Sequence, residues 1–482
     1  MQLTVDRLIE LAARVTPEQH AATDGNHTMT FAELDTESNR LAHALARRGI
    51  ARGDRVAWWA DTSLEALPVF GALAKIGAVF MPLNARTGVA ETAPVLAYAR
   101  ARLLLTGTSH REAGNDLAHA VGVEVAPAAA LERDRAIAWD GDRPSESDPH
   151  VIFFTSGSTG RPKGVVLSHR ANWLRSYPGA TTEAGVGGGV VCMFPLFHMA
   201  GWSIALGAWQ QRRAVHFAAA DPAVLLHTAA RWRAGRMYCI PAVWRRILDH
   251  GVDAFDLSAL REVDTGTSAT PPELLAAIKV ALPHTVTRVF YGSTEAGPAC
   301  LLSDGDLARK PGSVGVAQPG CEIRLVAGEV CVRSPFLMDG YFDATDATNE
   351  TLIDGWYHTG DLGAFDDDGY LSIVGRARDV IRSGGETIAP VEVEQALADH
   401  PALVEVAVVG LPDPQWGEIV TAVAVVRPGA AAPTVEDLRD HVGERLAAFK
   451  HPRRVEVVDA LPRTPATGQV QRPLIVERLL AG

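Results

Sequence analysis

Residues 151–164 read V-I-F-F-T-S-G-S-T-G-R-P-K-G, a short apolar run that enters a loop of glycines and hydroxyls and ends in a lysine. Glycines such as Gly157 let backbone N–H groups approach a polyphosphate closely. The hydroxyls of Thr155, Ser156, Ser158 and Thr159 add donors, and Lys163 supplies a point positive charge. That set suits the phosphates of a nucleoside triphosphate. It is not a Walker A loop, where glycine directly precedes the lysine and Ser or Thr follows it. Here Pro162 precedes Lys163 and Gly164 follows. An ordinary Gly/Ser turn accounts for a few of these residues, but not for the whole string.

Further segments with polar residues in fixed surroundings follow in order. They are F-P-L-F-H at 194–198, Y-G-S-T-E-A-G at 291–297, G-W-Y-H-T-G-D-L-G at 355–363, G-R at 375–376, and S-G-G at 383–385 leading to V-E-V-E at 391–394. Together with T-S-G-S-T-G-x-P-K-G they resemble the adenylate-forming superfamily: acyl-CoA synthetases, peptide-synthetase adenylation domains and luciferases. The similarity covers nearly the entire chain, and the acid–CoA ligases are the nearest in kind.

The resemblance implies a reaction in which a carboxylate attacks the α-phosphate of ATP, forming acyl-AMP and releasing pyrophosphate. Coenzyme A then takes the acyl group as a thioester. Such chemistry needs compensation of the charge on a pentacovalent phosphate and on the departing pyrophosphate. By resemblance, Thr155, Ser156, Ser158, Thr159 and Lys163 embrace the β- and γ-phosphates, Thr294 meets the α-phosphate, and Glu295 holds Mg²⁺. A hard cation takes oxygen ligands and keeps waters, so one carboxylate beside substrate phosphates is chemically sensible. Tyr291 is expected to stack on adenine, and Asp361 and Arg376 to reach the ribose. His198, flanked by Phe197 and Met199, is open to two readings: a satisfied core histidine, or a residue lining the carboxylate site. The acyl pocket is expected to be walled by Trp202, Gly266 and Thr267. No charged anchor is evident there, which favours an apolar or aromatic acid over a dicarboxylate.

For the second half-reaction the resemblance assigns Ser383, Gly384 and Gly385 to a pantetheine tunnel, where glycines let backbone pass close to a thin ligand. Phe449, Lys450 and Arg453 are assigned to the CoA nucleotide. Arg378 occupies a hinge position usually held by Asp or Lys. The chain departs from the family near its end. P-R-T-x-x-G-K becomes P-R-T-P-A-T-G-Q at 462–469, so Gln469 replaces the adenylation lysine in a loop one residue longer. An amide donates hydrogen bonds but carries no charge, so it cannot neutralise two anions brought together. Three explanations stand: a deliberate change that stalls adenylation, natural divergence with impaired adenylation, or a substitute cation at Lys450 or Arg472. The extra residue favours natural divergence.

Alternating segments must position these residues. Helical spacing at 34–45 and 64–76 alternates with short apolar strands at 55–59 and 78–81, which predicts a parallel sheet covered by helices. The last hundred or so residues change character: helix at 391–398, strands at 404–410 and 420–426, helix at 435–446. The expected architecture is α/β, with a large N-terminal adenylate-forming domain of helix-covered β-sheets at 1–377. A small, mobile α+β C-terminal domain is expected at 378–482.

A chain of 482 residues has room for about three domain-sized units, and 47% hydrophobic residues supply sizeable cores. The formal net charge of -12 argues against a nucleic-acid partner, which would call for a basic surplus. Five widely spaced cysteines without C-x-x-C give neither a disulfide framework nor a zinc site, and point to a reducing interior. The N-terminal 15 residues read as an amphipathic helix, not a signal peptide, and no apolar run is long enough to span a bilayer. A cytoplasmic enzyme is therefore expected, taking a small carboxylic acid, ATP and CoA; a homodimer is compatible with this. No carrier domain follows before Gly482, which weighs against a peptide-synthetase module. Two rivals remain: a ligase that acylates a separate carrier protein, and a non-catalytic protein that binds nucleotide or acyl-adenylate.

Overall fold

A computed structural model describes residues 2–132, 137–155, 163–177, 187–464 and 468–481, with backbone only at 155, 387 and 444. The chain packs into two compact units. The first holds Met1–Gly312, Ala317–Glu322 and Val332–Tyr357; the second holds Ser313–Val316, Ile323–Cys331 and His358–Gly482. The expected swivel at 377/378 thus lies inside the second unit. The antiparallel pairing of Trp356–Phe365 with Leu371–Arg376 binds the residues ahead of it to those behind.

Two helix-covered sheets form the first unit. In spatial order, one runs Gly297–Leu302, Val286–Ser293, Glu262–Gly266, Arg236–Tyr238, Val190–Cys192, Val215–Phe217, His20–Asp24, His27–Thr30. Its inner pairings are parallel and its outermost ones here antiparallel. The other runs Gly340–Tyr341, Lys163–Ser168, Pro149–Thr155, Val79–Pro82, Arg55–Trp59, Leu103–Thr106, Glu124–Pro127. The expected helices and strands near 34–45, 55–59, 64–76 and 78–81 appear as Phe31–Arg47, Arg55–Trp59, Ala66–Ile76 and Val79–Pro82. Helix Ala66–Ile76 is buried at every position, as an apolar helix between layers must be. Lys75 within it has a fully buried side chain, and its ammonium is satisfied by Asp35 at 2.7 Å.

The second unit carries a sheet ordered Glu386–Ile388, Ile381–Ser383, Gly417–Val426, Leu403–Asp413, with Arg454–Val457 parallel to Gly417–Val426. Helices Pro390–Leu397 and Val435–Val442 bury Val393, Leu397, Leu438 and Val442 against Val408, Val420 and Ala422. The latter helix stops four residues earlier than the apolar spacing to 446 suggests. Gly443 takes a positive φ of 42° there and turns the chain into a short 3₁₀ segment. Among the described residues, no helix is long and apolar enough to cross a membrane. All five cysteines are free thiols.

Candidate active site

Strands Pro149–Thr155 and Lys163–Ser168 pair antiparallel, with Thr155 opposite Lys163. The second of these strands begins at the lysine. Ser156, Gly157, Ser158 and Thr159 lie outside the described residues. The short strand Gly340–Tyr341 adds to the far side of Lys163–Ser168, with Tyr341 opposite Val165. That pairing sets the Tyr341 ring 4.8 Å from Lys163 Nζ. The Tyr341 hydroxyl reaches in turn to Glu295 Oε1 at 3.1 Å. Burial, with the Glu295 carboxylate beside it, raises the Tyr341 phenol well above its usual range, so it stays a neutral donor.

Y-G-S-T-E-A-G is a second hairpin, made by Val286–Ser293 and Gly297–Leu302, with Thr294, Glu295 and Ala296 as its turn. A bulge after Tyr291 and a positive φ of 71° at Gly297 tighten it; a side chain at 297 would meet the Phe336 ring at 2.9 Å. The turn is braced from below by Arg175, on helix His169–Ser176, which is only 4% exposed. Its guanidinium donates to Thr294 O at 2.8 Å and Phe336 O at 2.5 Å. Burial lowers the Arg175 pKa to about 10, while the charges of Asp339 and Glu295 oppose the shift. The protein around the Asp339 carboxyl partly desolvates it, and it rises to about 6. Met338 N also donates to Glu295 O at 2.8 Å. Lys163, Tyr341, Glu295 and Arg175 thus form one charged cluster drawn from three separated stretches of chain.

His198 caps helix Met199–Gln210, its Nδ1 accepting from Ala200 N at 3.2 Å. Burial lowers its pKa to about 4, so the ring is neutral and carries its proton on Nε2. It stacks on Phe194, which meets the half-buried Tyr238 edge-on at 5.1 Å, and Tyr238 lies 5.8 Å from Phe290. Gly266 joins this group: a Cβ there would sit 2.2 Å from Phe290 O and 2.9 Å from the Tyr238 hydroxyl. Thr267 follows at a φ of 67°, a rare conformation for a β-branched residue and a strained backbone beside the cluster. Trp202 is only 2% exposed, stacked on Phe70 at 3.9 Å and donating Nε1 to Leu196 O.

In the second unit, Asp361 and Arg376 face each other across Trp356–Phe365 and Leu371–Arg376, with Oδ1 2.9 Å from Nε. Ser383, Gly384 and Gly385 make the turn between Ile381–Ser383 and Glu386–Ile388, with both glycines at positive φ. Gly384 N donates to Trp416 O, and a Cβ at 384 would strike the Trp416 ring at 2.9 Å. Arg453 lies over that same indole at 3.9 Å. Lys450 pairs with Glu392 at 2.5 Å, beside Phe449. Arg378 is half-exposed next to Asp379. Gln469 is tied to Thr464: Thr464 N donates to Gln469 O, and Gln469 N donates to Thr464 Oγ1. Arg472, the other suggested substitute cation, grips Glu394 with two 2.7 Å bonds and also contacts Asp379. Both Lys450 and Arg472 therefore already have carboxylate partners.

Sequence reasoning missed Arg175, Tyr341 and Trp416. Each acts through neighbours remote in sequence, and no local pattern marks it.

Residues 9–342 match the AMP-binding enzyme family, and residues 392–467 match the AMP-binding enzyme C-terminal domain. The chain belongs to the AMP-binding enzyme family. It is 34% identical to a feruloyl-CoA synthase from an Amycolatopsis species, over 95% of this chain and 97% of that protein. It is 33% identical to a fatty acid–[acyl-carrier-protein] ligase from Streptomyces coeruleorubidus, over 93% and 91%. Among solved structures, the o-succinylbenzoate CoA synthetase of Bacillus subtilis, in complex with its acyl-adenylate intermediate, superposes with a TM-score of 0.87. Its identity is 27%, with 97% of each chain covered. This is a ligase of the adenylate-forming kind, and ATP, CoA and Mg²⁺ are the small molecules of such enzymes. The first unit fits a magnesium nucleotide. Glu295 offers carboxylate oxygens to a hard cation, and its protein hydrogen bond comes from a neutral phenol, while Lys163 stands nearby for phosphate.

Proposed function

We propose that the chain is an acid–thiol ligase that joins an apolar or aromatic carboxylic acid to coenzyme A through an acyl-AMP. The observation that carries the acid class is the row of rings that leads from His198 through Phe194 and Tyr238 to Phe290, with Gly266 packed against the last two. The feruloyl-CoA synthase it resembles along its length is named for an aromatic acid. In this reading Lys163 and the loop before it hold the β- and γ-phosphates, the Thr294 turn meets the α-phosphate, and Glu295 holds magnesium. Tyr291 takes the adenine, and Asp361 with Arg376 takes the ribose. The acid's carboxylate attacks the α-phosphorus and pyrophosphate leaves; the CoA sulfur then attacks the acyl carbon and AMP leaves. Neutral His198 donates from Nε2 to an anionic oxygen without adding a charge. Ser383–Gly385, Trp416, Phe449 and Arg453 line the approach of CoA.

The test is pyrophosphate release across cinnamic-type, indole-type and long-chain fatty acids, followed by mass detection of the thioester with CoA. Turnover confined to fatty acids would sink the aromatic assignment; acyl-AMP that CoA never intercepts would sink the CoA assignment. The likeness to a carrier-protein ligase makes acyl transfer to a phosphopantetheinyl protein the second reading. Arg378 is the proposed swivel between domains at 1–377 and 378–482. Arg378→Pro should then slow thioester formation more than adenylation, because proline fixes φ. Equal losses in the two steps would remove the swivel from 378.

A further inference from the structure

Glu329 lies outside the segments 291–297, 355–363 and 375–376, yet both of its carboxylate oxygens are committed to the strand that carries Asp361. Oε1 accepts from Gly360 N at 2.8 Å, and Oε2 lies 2.9 Å from His358 Nδ1. These two contacts fall on either side of Thr359. The Thr359 hydroxyl donates to Val330 O at 2.8 Å and accepts from Asp361 N at 3.0 Å. The H-T-G tripeptide ahead of Asp361 is thus clamped to residues 329 and 330 from about thirty positions away. Gly360 stands at a φ of 71°, and its carbonyl takes Ala377 N at 2.9 Å. A glycine in that conformation has no side chain to fix it, so the carboxylate on its N–H sets the plane of the peptide leading into Asp361.

We propose that Glu329 is the positioning residue of the ribose loop: it aims Asp361 at the ribose hydroxyls without touching the nucleotide. This rests on the reading of Asp361 as the ribose aspartate. Cys331 completes a triangle with Glu329 and His358, its Sγ 3.5 Å from His358 Nδ1. Glutamate, cysteine and histidine together are a plausible zinc set. However, N–H groups already occupy both Glu329 oxygens, and an ion between the three would have to break the His358–Glu329 contact. The geometry favours a brace over a metal centre.

The experiment compares KM for ATP with KM for 2′,3′-dideoxy-ATP in the pyrophosphate assay, because only ribose recognition separates the two nucleotides. Asp361→Asn should collapse the discrimination. Glu329→Ala should raise KM for ATP about tenfold and cut the discrimination similarly, with kcat changed far less, as expected for losing a hydrogen bond to a charged group. Glu329→Gln should restore most of it, since an amide oxygen still accepts from Gly360 N. Should the alanine variant not fold, Glu329→Asp, too short to reach both donors, takes its place. Full discrimination in Glu329→Ala, alongside its loss in Asp361→Asn, overturns the brace and leaves the ribose reading standing. Full discrimination in Asp361→Asn overturns the ribose reading, and the brace with it. A thiolate-to-cobalt absorption band on adding Co²⁺ to chelator-treated protein, lost in Cys331→Ser, overturns the brace in favour of a metal centre.

Discussion

The hydroxyl of Tyr341 donates to Glu295 Oε1 at 3.1 Å, although 45 residues separate the two in the sequence. One neutral ring thereby stands between the carboxylate assigned to magnesium and the ammonium of Lys163, which lies 4.8 Å from the ring centre. Without the phenol, the carboxylate would be free to swing toward the lysine and neutralise it.

The first prediction concerns that cluster. Lys163→Ala and Glu295→Ala should each slow adenylation by about tenfold to a thousandfold, the usual effect of deleting a preorganised charge. Tyr341→Phe keeps the ring and removes only the hydroxyl, so its loss should be about tenfold and should shrink as magnesium is raised. Pyrophosphate release at saturating acid decides this. Wild-type rates in all three variants would remove the cluster from the reaction.

Gln469 gives the second prediction. Lys450 and Arg472 are held by Glu392 and Glu394, so neither is expected to stand in for the missing ammonium. Adenylation should be roughly a hundredfold slower than a lysine would allow. Gln469→Lys, or the same change with Ala466 deleted to restore the family spacing, should raise pyrophosphate release. Thioester formation from supplied acyl-AMP should be unchanged. If Lys450→Ala abolishes adenylation and neither lysine variant speeds it, the charge comes from Lys450 after all.

The third prediction is acid sensitivity. Burial pushes His169 down to about 3, His216 to about 4, and His150 well below its usual 6.5. A base whose folded pKa is depressed takes up protons first in the unfolded chain. Its contribution is complete above about pH 6.5 and is lost as pH falls toward the folded value. Asp339, raised to about 6, acts in the opposite sense between pH 4 and 6, but it stands against these three and His198, lowered to about 4. The urea midpoint should therefore drop on going from pH 7.5 to pH 5, by the equivalent of a few kcal/mol. The His150 and His169 rings stack at 4.3 Å. His169→Gln should flatten the slope, and an equally steep slope in that variant would remove His169 from the effect.

The motifs were legible in the sequence because their chemistry is local. A strand, a glycine-rich turn and a lysine, or a Y-G-S-T-E-A-G hairpin, carry their meaning in neighbouring residues, and the backbone conformations they need are written in their glycines. The strand and helix alternation was legible for the same reason, since each period is set by burial of one face. The helix expected to run to 446 overshot because its apolar spacing continues past Gly443, and only the backbone shows where the turn takes over.

Partnership across the chain was not legible. Arg175 looks like any polar residue in a helix. Its meaning arises only when the sheet order brings Thr294 and Phe336 to it, and burial then obliges the guanidinium to find carbonyls. Trp416 gains its place because Gly384 and Arg453 fold onto one indole, and Lys450 and Arg472 lose their apparent freedom to Glu392 and Glu394 for the same reason. The sequence alone determined which reaction family this chain serves, because those motifs are contiguous and their chemistry travels with them. Only the tertiary structure decided which side chains hold the motifs in place, because hydrogen bonds and ion pairs depend on distances that sequence separation does not encode.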